Sequence, residues 1–198
     1  MDEREYLEHT REYFDDLAPV WDDICKHDDG KLRLITRLAA IVPGSRLLDI
    51  GCGTGVMIGP LLAAKPTELL AVDLSLRMIE RAAQKFRDAR LRLQAGDFFA
   101  LEESGFDLAM LYSVYPHFPD KERLALETAR CLKKGGRFMV AHSESKENIN
   151  SRHQGGTAAR FSQTLKAAEQ EAVHWREHFC IDILIDTDQL YVLSGRRR

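Results

Sequence analysis

Three glycines at alternate positions, Gly51, Gly53 and Gly55, follow one run of apolar residues and precede another. Glycine lacks a Cβ, so it permits positive φ and lets a ligand rest against bare backbone. Asp49 stands just before them. Asp73 lies 22 residues beyond Gly51, at the end of a second apolar run, 68–74. A carboxylate there, at the carboxyl edge of a sheet, can accept both hydroxyls of a ribose, which a purely structural turn does not require. The glycine spacing departs from the dinucleotide fingerprint, whose third glycine falls three residues after the second. Here the third is Gly55, and position 56 is Val56. Further along, His117 and His142 follow the fourth and fifth apolar runs. Histidine titrates near neutrality and suits proton removal.

Such residues need strands that end at one edge. After the chain break at Pro43-Gly44, positions 46–50 read as a buried strand, and 68–74, 91–96, 106–113 and 137–141 as four more. A strand that runs into a glycine loop and then a helix is the nucleotide-binding turn of a doubly wound α/β sheet. The intervening stretches predict helices. Residues 3–16 place Tyr6, Thr10, Tyr13 and Phe14 largely on one side, and 30–42 place Leu32, Ile35, Leu38 and Ala39 on one face. A short helix starts near Ile58 and stops before Pro66, because Pro60 is tolerated only in a first turn. Ser75 caps a helix to about Phe86, and Asp120 caps one to about Leu132 that Lys133-Lys134-Gly135-Gly136 ends.

The polar run 146–154, stopped by Gly155-Gly156, predicts a short helix with Ile149 and His153 on one face. Over 157–179 a long helix is expected, with Phe161, Leu165, Ala168, Ala172, Trp175 and Phe179 spaced as one buried stripe. Runs 180–185 and 190–195 flank Asp186-Thr187-Asp188 and read as a closing antiparallel hairpin.

A chain of 198 residues suits one domain with a sizeable core. Its net charge of −3 gives no general attraction to a phosphate backbone, so a nucleic-acid partner is not implied. The acidic start, 1–9, is the opposite of a secretory leader, and no apolar run approaches membrane-spanning length. Cys25, Cys52, Cys131 and Cys180 form no CxxC pair, which fits reduced thiols in a cytoplasmic protein. His174 and His178 are four apart but lack a third ligand near in sequence, so no metal is expected.

The stretches LLDIGCGTG, AVDLSLRMIERA, AGDFF, FDLAMLYSVYPHF and LKKGGRFMVAHS span roughly 46–143. In type and spacing they resemble the class I S-adenosylmethionine-dependent methyltransferases, notably the small-molecule (type 11, menaquinone-pathway) members. The resemblance implies a three-layer, Rossmann-like α/β sheet of seven strands in the order 3-2-1-4-5-7-6, with strand 7 antiparallel. It implies S-adenosylmethionine as methyl donor and S-adenosylhomocysteine as product. The loop of Gly51, Cys52 and Gly53 would leave room for the methionine moiety, with Asp49 meeting its ammonium directly or through water. Asp73 would hold the ribose, Leu74 and Met78 would sandwich the adenine, Asp97 would accept its amino group, and Phe98 would supply a backbone donor or apolar wall. Met78 also suits a core gap, and Gly96-Asp97 a plain turn. Residues 1–42 look like the helical cap that many small-molecule members fold over the cofactor, with 43–198 as the methyltransferase domain. Tyr13 and Trp21 would then shield the methyl donor or join cap to core.

Methyl transfer is an in-line displacement from an already activated donor, so the protein mainly positions the acceptor and deals with its proton. His117, His142 and Tyr115 are the catalytic candidates. The histidines can serve as general base, as metal ligands with Glu144, or as groups that shape the pocket. Tyr112 and Tyr115 can orient an acceptor or pack on the cofactor. The chain lacks both the Asn/Asp-Pro-Pro-aromatic motif of adenine and cytosine amino-methylating enzymes and the Pro-Cys of cytosine-C5 enzymes. A small-molecule acceptor is expected, with the chain a monomer or homodimer. A protein or RNA acceptor, or a cofactor-binding regulator without turnover, are the other readings.

Overall fold

A computed structural model describes residues 3–153 and 157–198. Helices α1 (Glu3–Leu17), α2 (Trp21–Ile24) and α3 (Asp29–Leu38) precede the first strand. Strands β1 (Arg46–Ile50), β2 (Glu68–Asp73), β3 (Leu91–Ala95), β4 (Phe106–Tyr112), β5 (Leu132–His142), β6 (Phe179–Asp186) and β7 (Tyr191–Arg197) form one sheet. Its order is β3-β2-β1-β4-β5-β7-β6, with β7 antiparallel to both β5 and β6. Strands β1 to β5 run parallel to one another. The order reverses at β1, which pairs with β2 on one side and β4 on the other. A crevice therefore opens beyond the carboxyl ends of β1 and β4, where ligands bind in such sheets.

Both faces of the sheet are covered, which is why the central strands are almost continuously apolar. On one face α3, α4 (Ile58–Ala63) and α5 (Leu76–Lys85) bring Leu32, Ile35, Ile58, Leu61 and Ile79 onto Leu47, Leu69 and Met110. On the other, α6 (Lys121–Cys131), α7 (Lys146–His153), α8 (Ala168–Glu171) and the turn after it bring Leu124, Ile149 and Trp175 onto Leu48, Leu70 and Phe138. Trp175 stacks flat on Phe138, with ring centroids 3.8 Å apart. Capping follows the sequence: the side chains of Ser75 and Asp120 accept from the N–H groups of Met78 and Arg123.

The long helix expected over 157–179 does not form. The segment is a 3-10 turn (Thr157–Phe161), an irregular stretch, α8, and a second 3-10 turn (Ala172–His174) that leads into β6 at Phe179. Partners outside the segment capture its backbone: Gln163 N–H donates to Pro116 O, and Asn150 accepts from Leu165 N–H while donating to Leu165 O. The six residues of the expected stripe are nevertheless all buried. Tertiary contacts override helical propensity here and keep its apolar face. A second difference is at β5, which begins at Leu132, so Lys133-Lys134-Gly135-Gly136 belongs to the strand and sits beside a register shift on β4. The last residue of the predicted run, Gln154, and its stop at Gly155-Gly156 lie outside the described residues. Among the described residues no helix is long and apolar enough to cross a membrane.

Candidate active site

The crevice holds a cavity of about 410 Å³. Its floor is Gly51 and Gly53 after β1, Asp73 and Leu74 after β2, and Asp97 and Phe98 after β3; Ser113, Val114, His117 and Phe118 after β4 form a wall. Tyr6, Thr10 and Phe14 of α1, with Trp21 of α2, close it from above. The glycine loop is tight for a steric reason. Gly51 has φ +67°, and a Cβ there would lie 2.3 Å from a methyl of Val114. At Gly55, φ is +95° and a Cβ would lie 2.7 Å from the Phe86 ring. Neither position accepts a side chain.

Asp73 is held by two backbone donors, Gly53 N–H at 2.8 Å and Ser75 N–H at 2.9 Å, one to each carboxylate oxygen. Burial pushes its carboxyl up to about 6 although both donors oppose the shift. Asp49, on β1 beneath the loop, is 1% exposed, and its Oδ2 has no hydrogen-bond partner among the described residues. Burial first, and the charge of Asp73 second, raise it to about 7. A buried carboxylate left unpaired beside a glycine loop suits a cationic ligand group. Asp97 accepts from Phe99 N–H at 2.9 Å, which fixes its carboxyl at the cavity wall. Met78, in the first turn of α5, lines the same end. A cavity lined by Asp73, Leu74, Met78, Asp97 and Phe98 has acceptors and apolar surface that suit the ribose and base of S-adenosylmethionine, while Asp49 lies beneath the lining rather than in it.

The N-terminal helices are fastened across this cavity at both ends. Asp15 Oδ1 accepts from Ser75 Oγ at 2.6 Å and from Arg77 N–H at 3.1 Å, at the start of α5. Asp22 accepts from Thr54 Oγ1 of the glycine loop at 2.5 Å and from Lys85 Nζ at 3.0 Å. Tyr6 Oη donates to the carbonyls of His117 and Phe161, at 3.1 and 3.2 Å. Tyr13 does not line the cavity; its ring packs on Phe14 and Phe161.

Of the catalytic candidates, His117 alone lines the cavity. Its Nδ1 lies 2.7 Å from Phe161 O, and a carbonyl can only accept, so Nδ1 carries the proton. Burial lowers its pKa to about 4, so near neutral pH the ring is uncharged and Nε2 has a free lone pair. Tyr115 sits in the core instead, its Oη donating to Glu171 at 2.9 Å and its carbonyl accepting from Lys121 Nζ at 2.6 Å. His142 is buried at the end of β5, away from the cavity lining. Tyr112 also lies off the cavity, its Oη 2.7 Å from Ser143 Oγ and 2.8 Å from His27 Nδ1. Cys52 is buried under the loop, and burial raises its thiol far above the usual range. His174 bonds Glu122 at 2.6 Å, and among the described residues no group of three acids, cysteines or histidines could hold a metal.

The model of the methyltransferase domain family matches residues 48–140. The 27-O-demethylrifamycin SV methyltransferase of Amycolatopsis mediterranei is 31% identical over 130 residues, 61% of this chain and 48% of that protein. The demethylmenaquinone methyltransferase of Renibacterium salmoninarum is 30% identical over 135 residues, 65% of this chain and 56% of that protein. The chain thus spans about half the length of these relatives. In structure it resembles the N-methyltransferase NodS of Bradyrhizobium japonicum, solved with S-adenosyl-L-homocysteine: TM-score 0.75, 18% identity, 96% of this chain and 98% of that one. That likeness speaks to the fold. With the sheet order, the match over 48–140 supports a class I S-adenosylmethionine-dependent methyltransferase domain across those residues.

Proposed function

We propose that this chain transfers the methyl group of S-adenosylmethionine to a small-molecule acceptor. Bound there, S-adenosylmethionine supplies a methyl group made electrophilic by its sulfonium. Asp49 meets the ammonium, Asp73 accepts both ribose hydroxyls, and Asp97 reads the adenine amino group while Leu74, Met78 and Phe98 hold its faces. Residues 1–42 act as a cap that excludes water from the cavity. The observation that carries the acceptor half is the Nδ1–H bond of His117 to Phe161 O. It leaves Nε2 as the lone-pair atom of a ring on the cavity wall, able to orient an acceptor through its polar hydrogen, although a pKa of about 4 makes it a weak base. The two relatives named above, both of which methylate small molecules by their names, support a small-molecule acceptor, and the aromatic roof offers it apolar surface. The four free cysteines suit a reducing cytoplasm.

Labelled methyl from S-adenosylmethionine should enter the small-molecule fraction of a cell extract. Label in protein or RNA would replace this reading with a macromolecular one. His117→Ala should lower turnover roughly 100-fold or more while leaving S-adenosylhomocysteine affinity nearly unchanged. Full turnover in that variant would remove His117 from the mechanism.

A further inference from the structure

His117 reaches the cavity from a short 3-10 turn, Tyr115–His117, that leaves the end of β4. Three residues with a proline among them make too few internal bonds to fix their own geometry. The turn is held from outside instead, carbonyl by carbonyl. His117 O accepts from Tyr6 Oη of α1 at 3.1 Å, and Pro116 O accepts from Gln163 N–H at 2.8 Å. Tyr115 O accepts from Nζ of Lys121, the first residue of α6, at 2.6 Å. At its other end Tyr115 donates from Oη to Glu171 at 2.9 Å, and Trp175 Nε1 approaches that hydroxyl at 3.4 Å. Tyr115 is thus gripped at both ends, by a lysine at its carbonyl and a glutamate at its hydroxyl.

Lys121 makes this grip at a cost to the fold. It is 6% exposed, and among the described residues its ammonium has no ion pair, only the Tyr115 carbonyl and the face of the Tyr115 ring 3.9 Å away. It also stands in the first turn of α6, where the helix dipole disfavours a positive charge. Burial lowers its pKa to about 8, against a rise from Glu171, so the amine is mostly charged near neutral pH. Its bond to the carbonyl is therefore charge-assisted. Burial and the dipole both make Lys121 unfavourable for stability, so its grip on the turn can be separated from any role in holding the fold.

We propose that Lys121 is a positioning residue: by holding Tyr115 O while Glu171 holds Tyr115 Oη, it sets the angle at which the turn presents the His117 imidazole to the cavity. The inference deepens the proposed function and rests on it for His117 having an acceptor to orient. The bond from Nδ1–H to Phe161 O, at 2.7 Å, anchors one atom of the ring, and the turn fixes where the rest of it points.

The test compares the full chain with Lys121→Met, similar in length but without a donor. It uses ¹⁵N NMR of the His117 imidazole, thermal melts, and labelled-methyl transfer into the small-molecule fraction of an extract. In Lys121→Met the His117 Nδ1 signal should move, and transfer at saturating S-adenosylmethionine should fall about tenfold. S-Adenosylhomocysteine affinity should be unchanged and Tm held or raised. A lysine that merely held the fold would lower Tm and leave the His117 signal and the transfer rate per folded chain alone. The unaltered chain gives a second reading. Its His117 Nδ1 signal should step near pH 8 as Lys121 loses its proton, far from the titration of His117 itself at about 4, and Lys121→Met should lack the step. Burial lowers His153 beside the ring and raises Tyr6 and Tyr115, so none of these supplies a step there. The proposal is overturned if Lys121→Met keeps the parent signal or the parent transfer rate, or, should that variant not fold, if the parent signal is flat through pH 8. If the unaltered chain transfers no methyl, the proposed function falls, while the His117 signal still decides the role of Lys121.

Discussion

On one face of the sheet Tyr112 joins His27 and Ser143 in a continuous hydrogen-bonded chain, and Lys31 Nζ donates to Ser143 O at 3.0 Å beside it. On the opposite face Tyr191 and His142 meet at similar depth, with no hydrogen bond to either side chain among the described residues. The two clusters use the same residue types near the ends of neighbouring strands. One is a closed structural account, fastening the loop after α2 to β4 and β5. The other leaves desolvated groups without a partner among the described residues, at a cost to stability. Asp49 belongs with the second kind, an unpaired carboxylate beneath the glycine loop.

The largest effect that would test this contrast is the pH response of Asp49. Its folded pKa of about 7 lies above the ordinary carboxyl value, so between the two the folded chain binds more protons than the unfolded one. The contribution of Asp49 therefore falls as pH rises from about 4 to about 7, by up to about 4 kcal/mol, and is fully lost above that. Thermal melts across this range should show Asp49→Asn with a flatter decline. The Tm gain from S-adenosylhomocysteine, which brings an ammonium, should be larger at pH 8 than at pH 5. Equal gains at both would remove Asp49 from the ligand site.

Next in size is Asp73→Ala. Losing two charge-assisted bonds to the ribose should weaken S-adenosylmethionine by about 3 kcal/mol, roughly 100-fold by calorimetry. Smaller, and purely structural, is Tyr112→Phe. It breaks both links of the satisfied chain and should lower stability by about 2 kcal/mol in denaturant unfolding. The smallest effect has the opposite sign: Tyr191→Phe should raise stability by about 1 kcal/mol in denaturant unfolding. A loss there instead would place Tyr191 among the satisfied groups and erase the contrast.

Much of the frame was legible from local signals. The glycine loop, the acid ending β2 and the caps at Ser75 and Asp120 each rest on residues within a few positions of one another. What escaped was decided over distance. Reading His142 at the end of a strand placed it at the ligand edge, but the alternation Phe138, Val140, His142 turns it onto the buried face with Trp175 and Tyr191. Tyr115 followed β4 as expected, yet Glu171, 56 positions later, draws its hydroxyl into the core. The stripe over 157–179 carried the correct burial and the wrong backbone, because Asn150 and Pro116 supply partners that no helical period reveals. The cap residues Tyr6 and Thr10 showed a shared side in sequence but not the cavity they would close.

The hydroxyl of Tyr6 reaches carbonyls 111 and 155 positions further along the chain. At a synthesis rate of about 5–20 residues per second, the second of those carbonyls is made roughly 8–30 s after the tyrosine. The Asp15 end of the first helix can dock on α5 early, but its Tyr6 end stays unfastened until the chain beyond β5 is made. Closure of the cofactor chamber then belongs among the last events of biogenesis, and a nascent chain can meet its cofactor before its roof is fastened.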